Sequence, residues 1–154
     1  MNTLNPLNKE DLYLDLAQTI SRYATCEKLK VGCVLVNDER ILSLGYNGAP
    51  RGQEHCKAVG CDLVDVDGRP SCKRSVHAEA NALINAAYVG ASTKGAVLYT
   101  THSPCYECAK LLLNAGIERI VFIHKYEDSR SWNLWDYLYM PMQGRGYARK
   151  RLQG

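Results

Sequence analysis

Two short segments of this sequence carry the side chains that constrain its fold most. The first is His77-Ala78-Glu79, and the second, further along the chain, is Pro104-Cys105-Tyr106-Glu107-Cys108. One imidazole and two thiolates provide three zinc ligands, and a tetrahedral zinc with three protein ligands keeps its fourth position open for water. The Glu79 carboxylate is not needed as a ligand and can move protons to and from that water. The fold must therefore bring the two segments to one point.

Each segment stands at the start of a stretch with helical periodicity, which predicts helices over 76–89 and 105–115. Cys105 and Cys108 are three residues apart, so a helix places both sulfur atoms on one face. The positive end of a helix dipole also lowers the pKa of thiols in the first turn. The sequence thus predicts two helix N-termini that meet at one catalytic zinc, with His77 as the third ligand. The alternative, half of a zinc ribbon beside an unrelated buried histidine, leaves the carboxylate of the first segment without a role.

Apolar runs with strand character alternate with helix-like segments along the rest of the chain, which favours a layered α/β fold. Asn8 is a suitable N-cap for a helix over 9–23, and a short helix is predicted over 131–139. Ser103 followed by Pro104 predicts an N-cap and a proline at the first helical position. The predicted strands are 31–36, 40–46, 96–101 and 119–124, and Asn37-Asp38-Glu39 predicts a hairpin turn between the first two.

The length and charge of the chain limit its class. A length of 154 residues fits a single domain, and no apolar run reaches the roughly 18 residues of a membrane span. The polar start predicts no signal peptide, so a cytoplasmic location with reduced cysteines is expected. The net charge of +3 is modest, whereas an extended nucleic acid requires a clearer basic footprint. The basic segment 144–154 is predicted to be a mobile tail.

Residues 47–75 are rich in Gly, Pro, Asp and Cys and show no sustained periodicity, which predicts a long inserted loop. A loop of this length needs something to hold it. Apart from the two catalytic-zinc cysteines, Cys33 lies in a strand run and is predicted to be a small buried side chain. The four others flank or lie inside the insert and would close a structural zinc: Cys26, Cys56, Cys61 and Cys72. His55, beside Cys56, is an alternative fourth ligand.

Over about residues 23–128 the sequence resembles the deoxycytidylate (dCMP) deaminases of the cytidine deaminase superfamily. The H-A-E and P-C-x-x-C segments belong to the whole superfamily, and Gly45-Tyr-Asn-Gly-Ala-Pro50 followed by a cysteine-bearing insert is particular to the dCMP branch. The resemblance implies a three-layer α/β/α domain with a mixed sheet of about five strands. It also implies zinc-dependent hydrolysis of dCMP to dUMP and ammonia, which supplies precursor for dTTP synthesis. A dual dCMP/dCTP deaminase and a polynucleotide deaminase acting on tRNA or single-stranded DNA are the alternatives.

The resemblance assigns roles to individual residues. Glu79 is the general acid and base of this signature. Asn47 contacts the sugar or base, the backbone near Ala78 recognises the base, and Ser103 and Tyr126 border the nucleotide. The arginine expected between residues 25 and 30 is missing, so the candidates for the phosphate contact are Lys28, Lys30 and Arg74.

Family members are commonly regulated by dCTP and dTTP, with Mg²⁺ as a companion of the triphosphate. The implied effector loop consists of Gly45, Tyr46, Asn47 and Gly48. The family also implies a homo-oligomer, often a hexamer. His102, directly before the second segment, is predicted to be a loop histidine without a ligand role.

Overall fold

The computed structural model describes residues 8–151 of the chain. Its centre is a six-stranded sheet in the order β2-β1-β5-β6-β8-β7, in which only the β5–β6 pair is parallel. The described strands are β1 (Gly32–Asn37), β2 (Arg40–Tyr46), β3 (Leu63–Val66), β4 (Arg69–Cys72), β5 (Val97–His102), β6 (Arg119–His124), β7 (Trp135–Met140) and β8 (Arg145–Lys150). The helices are α1 (Lys9–Ser21), α2 (Cys56–Val59), α3 (Ala78–Tyr88) and α4 (Tyr106–Asn114).

Helices cover both faces of this sheet, so the domain has three layers. On one face, Tyr13, Leu14 and Ala17 of α1 pack against β1, β5 and β6. On the other face, small side chains of α3 and α4 pack against the opposite side of the same strands. Side chains of a strand alternate between its two faces, and both faces of β1, β5 and β6 are covered. These strands therefore carry consecutive apolar residues, such as 33–36, 97–99 and 120–123.

Three short-range predictions are confirmed. Asn8 caps α1, where its side chain accepts a hydrogen bond from the Asp11 amide at 3.1 Å. The turn between β1 and β2 places Asp38 and Glu39 at φ 51° and 61°, the left-handed conformation that a tight hairpin requires. Strand β2 covers the predicted range 40–46.

The helix predicted over 131–139 is wrong. Ser131–Asn133 forms a single 3₁₀ turn, and strand β7 follows from Trp135. Every second residue of this strand is aromatic, and Tyr137 and Tyr139 both pack on the ring of Phe122 at centroid distances of 5.9 and 6.2 Å. This two-residue period is typical of a strand, and it outweighs the three-residue, helix-like spacing of Trp132 and Trp135.

The mobile tail predicted over 144–154 is also wrong for its described part, since 145–150 forms strand β8 between β6 and β7. The small residues Gly146 and Ala148 are buried, and a Cβ on Gly146 would lie 2.3 Å from the Phe122 ring. The basic side chains are paired: Arg145 with Glu10 and Asp11, and Lys150 with Glu118 at 2.9 Å. Residues 152–154 of that tail and residues 1–7 of the polar start lie outside the described residues.

The insert 47–75 contains more regular structure than predicted. One helical turn, α2, is followed by the two-stranded hairpin β3–β4. The hairpin is tied to the domain by an ion pair between Asp67 and Arg130 at 2.6 Å and by Arg69, whose guanidinium lies 5.2 Å above the Tyr126 ring. Within residues 8–151, no helix is long and apolar enough to cross a membrane.

The burial of strand β8 gives a direct test of the corrected C-terminal segment. Ala148 is 2% exposed and the next residue, Arg149, is exposed. We expect Ala148→Asp to lower the free energy of unfolding by roughly 3 kcal/mol or more, because it buries an unpaired carboxylate. The matched control Arg149→Asp should lower it much less. Urea denaturation measures both, and equal, small effects would contradict the placement of β8.

Candidate metal centre and cavity

Two helix N-termini bring the three predicted ligands together. His77 is the N-cap of α3 and Cys105 is the N-cap of α4, both with extended backbone, and Cys108 lies in the first turn of α4. The Nδ1 atom of His77 is 3.5 Å from the Cys105 sulfur and 3.4 Å from the Cys108 sulfur. All three ligand atoms lie within 4.8 Å of one another.

Strand β2 fixes the position of α3. Asn81 and Asn85, one helical turn apart, donate to the Tyr46 and Leu44 carbonyls at 2.9 and 2.7 Å. These carbonyls belong to an edge strand and have no other strand to pair with. Gly45 allows this close approach, because a Cβ there would lie 2.3 Å from the Ala78 carbonyl.

Strands and loops from the C-terminal half fix α4. The buried Trp135 indole donates to the Ala109 carbonyl at 3.1 Å, and the carboxylate of Asp128 accepts from the Tyr106 amide at 2.8 Å. Asp128 therefore caps the first turn of α4. The predicted N-cap, Ser103, is wrong, because its hydroxyl is engaged with the Tyr126 backbone: it accepts from that amide at 2.6 Å.

The donor set fits a tetrahedral zinc. Zinc–sulfur and zinc–nitrogen bonds of about 2.3 and 2.0–2.1 Å place the nitrogen and sulfur of a tetrahedron about 3.6 Å apart. The observed separations of 3.4 and 3.5 Å are close to that value. Three ligands leave one position of the tetrahedron open.

The metal-free cluster already carries a negative charge that a zinc ion would balance. A hydrogen bond from Cys108 lowers the pKa of the Cys105 thiol to about 4, and the hydrogen bond to Cys105 raises the pKa of His77 to about 9. The pair therefore carries a thiolate and an imidazolium at neutral pH. A zinc ion replaces the proton on His77 and takes up the same negative charge.

The Glu79 side chain is buried beside this cluster, and only 5% of the residue is exposed. Burial raises its pKa to about 7, and the Cys105 charge acts in the same direction. A carboxyl group with a pKa near the working pH can both accept and return a proton. The Cys33 thiol, fully buried on β1 as predicted, lies 3.9 Å from the Glu79 carboxylate.

A cavity opens beside these residues, and most of the predicted substrate residues line it. Among them are Asn47, Ala78, Ser103 and Tyr126. Lys28 also lines the cavity, and no other described lining residue is a lysine or an arginine. The predicted phosphate candidate Arg74 is not one of them, because it donates to the Gly60 carbonyl at 3.2 Å. The remaining lining residues are Cys26, Leu29, Val31, Pro70, Ser71, Cys72, Ser75, His77, Glu79, His102 and Cys105.

The residues of the predicted effector loop have different environments. Asn47 is 6% exposed; its amide accepts from Val31 at 2.8 Å and donates to Leu29 at 2.6 Å, which fixes the start of β1. Gly48 pairs with Val76, and a Cβ on Gly48 would lie 2.6 Å from the Thr25 hydroxyl. Tyr46, 44% exposed, is the accessible side chain of this loop.

A second cluster contains the four cysteines of the insert. The sulfurs of Cys26, Cys56, Cys61 and Cys72 all lie within 4.8 Å of one another, and Cys56 and Cys72 are 3.5 Å apart. His55 is not part of this cluster; it is the exposed N-cap of α2. Although burial opposes it, hydrogen bonds from Cys56 and from backbone amides lower the pKa of Cys72 to about 7.

His102 lines the cavity, although the sequence favoured a loop histidine without a ligand role over one at the edge of the pocket. It is the last residue of β5 and lies beside His124, the last residue of the parallel strand β6. The carboxyl ends of parallel strands commonly border the ligand crevice of an α/β sheet. The predicted strand ended at residue 101, which placed His102 in a loop. A place at the carboxyl end of the strand would have indicated that His102 borders the cavity.

The sequence matches known deaminases over most of its length. Residues 7–124 match the family model described as the cytidine and deoxycytidylate deaminase zinc-binding region. ComE operon protein 2 of Bacillus subtilis (strain 168) is 38% identical over 104 residues, and the match covers 68% of this chain and 53%, about half, of that protein. The deoxycytidylate deaminase of Mycobacterium phage D29 is 38% identical over 122 residues, covering 73% of this chain and 92% of that enzyme.

A solved structure has the same fold. The dCMP deaminase from cyanophage S-TIM5, determined in complex with dCMP and dUMP, superposes with a TM-score of 0.69 at 30% identity. The match covers 81% of this chain and 88% of that structure. It confirms the predicted cytidine deaminase-like α/β/α architecture.

Proposed function

The chain belongs to the cytidine and deoxycytidylate deaminase zinc-binding family, and on that basis we propose that it hydrolyses dCMP to dUMP and ammonia. The observation that carries the proposal is the three-ligand cluster, with one buried carboxylate, Glu79, on the cavity side. A structural zinc site has four protein ligands, and a site that only binds zinc has no need of Glu79.

The reaction divides between the metal and Glu79. His77, Cys105 and Cys108 would hold a zinc ion, and this ion would lower the pKa of a bound water to about 7 and so supply a hydroxide at neutral pH. Glu79 takes up the proton that the water loses and delivers it to ring nitrogen N3 as the water oxygen bonds to C4. Glu79 then takes the remaining proton from that oxygen and gives it to the amino group. The amino group leaves as ammonia, and Glu79 is again a carboxylate.

The cavity supports a nucleotide as the substrate. Ala78, Asn47 and Tyr126 all line the cavity, which supports a role of the Ala78 backbone and the Asn47 side chain toward the base and sugar. We assign the phosphate to Lys28, since it lines the cavity and Arg74 is engaged elsewhere.

We propose that the second cluster holds a structural zinc, with Cys26, Cys56, Cys61 and Cys72 as ligands. Four thiolates close a tetrahedral site, and such a site contributes folding free energy directly. Because Cys26 and Cys72 also line the cavity, this metal would hold one wall of the nucleotide site as well as the insert.

Regulation, assembly and location are part of the same proposal. A dCTP or dTTP effector, the triphosphate accompanied by Mg²⁺, would bind at the loop that carries Tyr46. Exposed apolar side chains on β2 and α3 support a homo-oligomer, such as the hexamer implied by the family: Leu44, Ile84, Tyr88 and Val89. Seven free cysteines suit a reducing, cytoplasmic environment.

A polynucleotide substrate is less well supported. Its binding requires a basic groove with stacking aromatic residues around the pocket. Two of the three cations of the C-terminal strand, Arg145 and Lys150, are paired with acidic residues, and so is the following Arg151 with Asp136 at 3.0 Å.

Substrate class is tested by ammonia release. We expect turnover of dCMP and none of a cytosine-bearing oligonucleotide, with cytidine as the control that lacks phosphate. A dCTP arm distinguishes the dual deaminase, and adding dTTP or dCTP to the dCMP reaction tests regulation. Activity on the oligonucleotide alone would refute the nucleotide assignment.

Glu79 transfers protons and His77 binds the metal in the proposed mechanism, so variants of the two residues should behave differently. Glu79→Ala should retain zinc and lose at least about 10²–10⁴-fold in turnover, because it removes proton transfer but no ligand. His77→Ala should lose both the catalytic zinc and activity. Zinc analysis and kcat are measured on the same preparations, and a Glu79→Ala enzyme within tenfold of wild type would contradict the mechanism.

Elemental analysis tests the second metal. Protein purified without chelator should contain two zinc ions per chain, and Cys61→Ser should retain one. His55→Ala is the matched control and should retain two, because the imidazole lies outside the cluster. One zinc in the wild type, or one in His55→Ala, would overturn this assignment.

A further inference from the structure

The cavity contains a histidine that the mechanism above does not use. His102, half-buried at the end of β5, lines the same cavity as Glu79 and Asn47. Its ring lies against the ring of His124, with centroids 4.9 Å apart. The hydrogen bonds around it determine which ring nitrogen carries the proton.

Thr101 fixes that proton. The Thr101 side chain is buried, and its hydroxyl accepts a hydrogen bond from the Gly32 amide at 3.2 Å and lies 2.9 Å from Nδ1 of His102. In the described part of the chain this hydroxyl has no other acceptor for its own proton. It therefore donates to Nδ1, and the proton of the neutral imidazole is on Nε2.

The ring is also neutral at physiological pH. Burial, with a smaller contribution from the charge of His124, lowers the pKa of His102 to about 4. Among residues 8–151, Nε2 has no hydrogen-bond partner. His102 thus offers one free N–H donor on a ring that is held from one side by Thr101 and from the other by His124.

The attachment of His102 indicates which part of a ligand it meets. Through Thr101 it is bonded to Gly32 at the start of β1. The segment that leads into this strand carries Lys28 and Leu29, and both line the cavity. The His102 donor is therefore connected, through Thr101 and Gly32, to the part of the cavity wall that carries the positive charge of Lys28.

We propose that the Nε2–H of His102 donates a hydrogen bond to an acceptor oxygen on the sugar–phosphate half of the bound nucleotide. This inference rests on the proposed function, since it assumes a nucleotide in the cavity. His102 is then a substrate-binding residue that favours nucleotides over ligands lacking this half, and it takes no part in proton transfer at the base.

A pair of variants with and without a donor tests the proposal. His102→Leu replaces the imidazole with an apolar side chain that has no donor, whereas His102→Gln keeps an N–H donor. We expect His102→Leu to raise KM for dCMP about 3- to 10-fold with kcat within about twofold, and to weaken dUMP binding by a similar factor. His102→Gln should recover part of this loss, and His124→Leu, which removes one contact of the ring but leaves the donor and its bond to Thr101, should raise KM less than His102→Leu does.

Folding and zinc content of each variant are checked by thermal unfolding and elemental analysis. If His102→Leu does not fold, Thr101→Val, which releases Nδ1, should raise KM in the same direction. Unchanged KM and dUMP affinity, a loss confined to kcat, or equal losses in the Leu and Gln variants would overturn the proposal. A wild-type protein that releases no ammonia from dCMP would instead contradict the proposed function, and dUMP calorimetry would still decide the role of His102.

Discussion

The whole site depends on two helix N-termini that are held head to head. His77 and Cys105 end their preceding segments in extended backbone, and each helix begins at the next residue, so the imidazole and the thiol project beyond the first turn. Neither helix fixes this arrangement alone. The edge-strand carbonyls of β2 hold α3, and Trp135 and Asp128 hold α4. The meeting point is therefore determined by the packing of the sheet, and the metal ligands follow from it.

The insert turns one side of this meeting point into a cavity wall. Cys72 of the insert and Cys26, which precedes it, belong to the four-cysteine cluster and border the cavity, so a metal there would stabilise both the loop and the proposed nucleotide site. Hairpin β3–β4 is also held by Arg130 and by the contact of Arg69 with Tyr126. In the proposed enzyme, nucleotide affinity and insert stability are coupled, whereas the proton transfer assigned to Glu79 depends on the helix that carries it.

The sequence predicted best where one local rule applied without competition. The spacing of the zinc ligands, the cap at Asn8 and the two-residue turn at Asp38 and Glu39 each have a local cause. It predicted poorly where tertiary contacts decide. Strand β8 has few apolar residues and many charges, and it is stable because Ala148 and Gly146 fit against Phe122 while distant acidic residues pair with its cations.

The errors within the site have the same origin. Ser103 and Pro104 satisfy the pattern of a helix start, but Asp128, distant in sequence, caps α4 and leaves the serine to bind the Tyr126 backbone. His102 gave no signal in its own segment, because its role depends on Thr101 and on a strand pairing with His124.

The coordination of the catalytic metal tests the central claim most directly. X-ray absorption at the zinc edge of Cys61→Ser protein, which would retain only this ion, reports its ligand set. We predict two sulfur ligands at about 2.3 Å and two nitrogen or oxygen ligands at about 2.0–2.1 Å, one of them exchangeable solvent. A shell of three sulfurs, with Cys33 as the additional ligand, or any set closed by protein atoms alone would contradict the account.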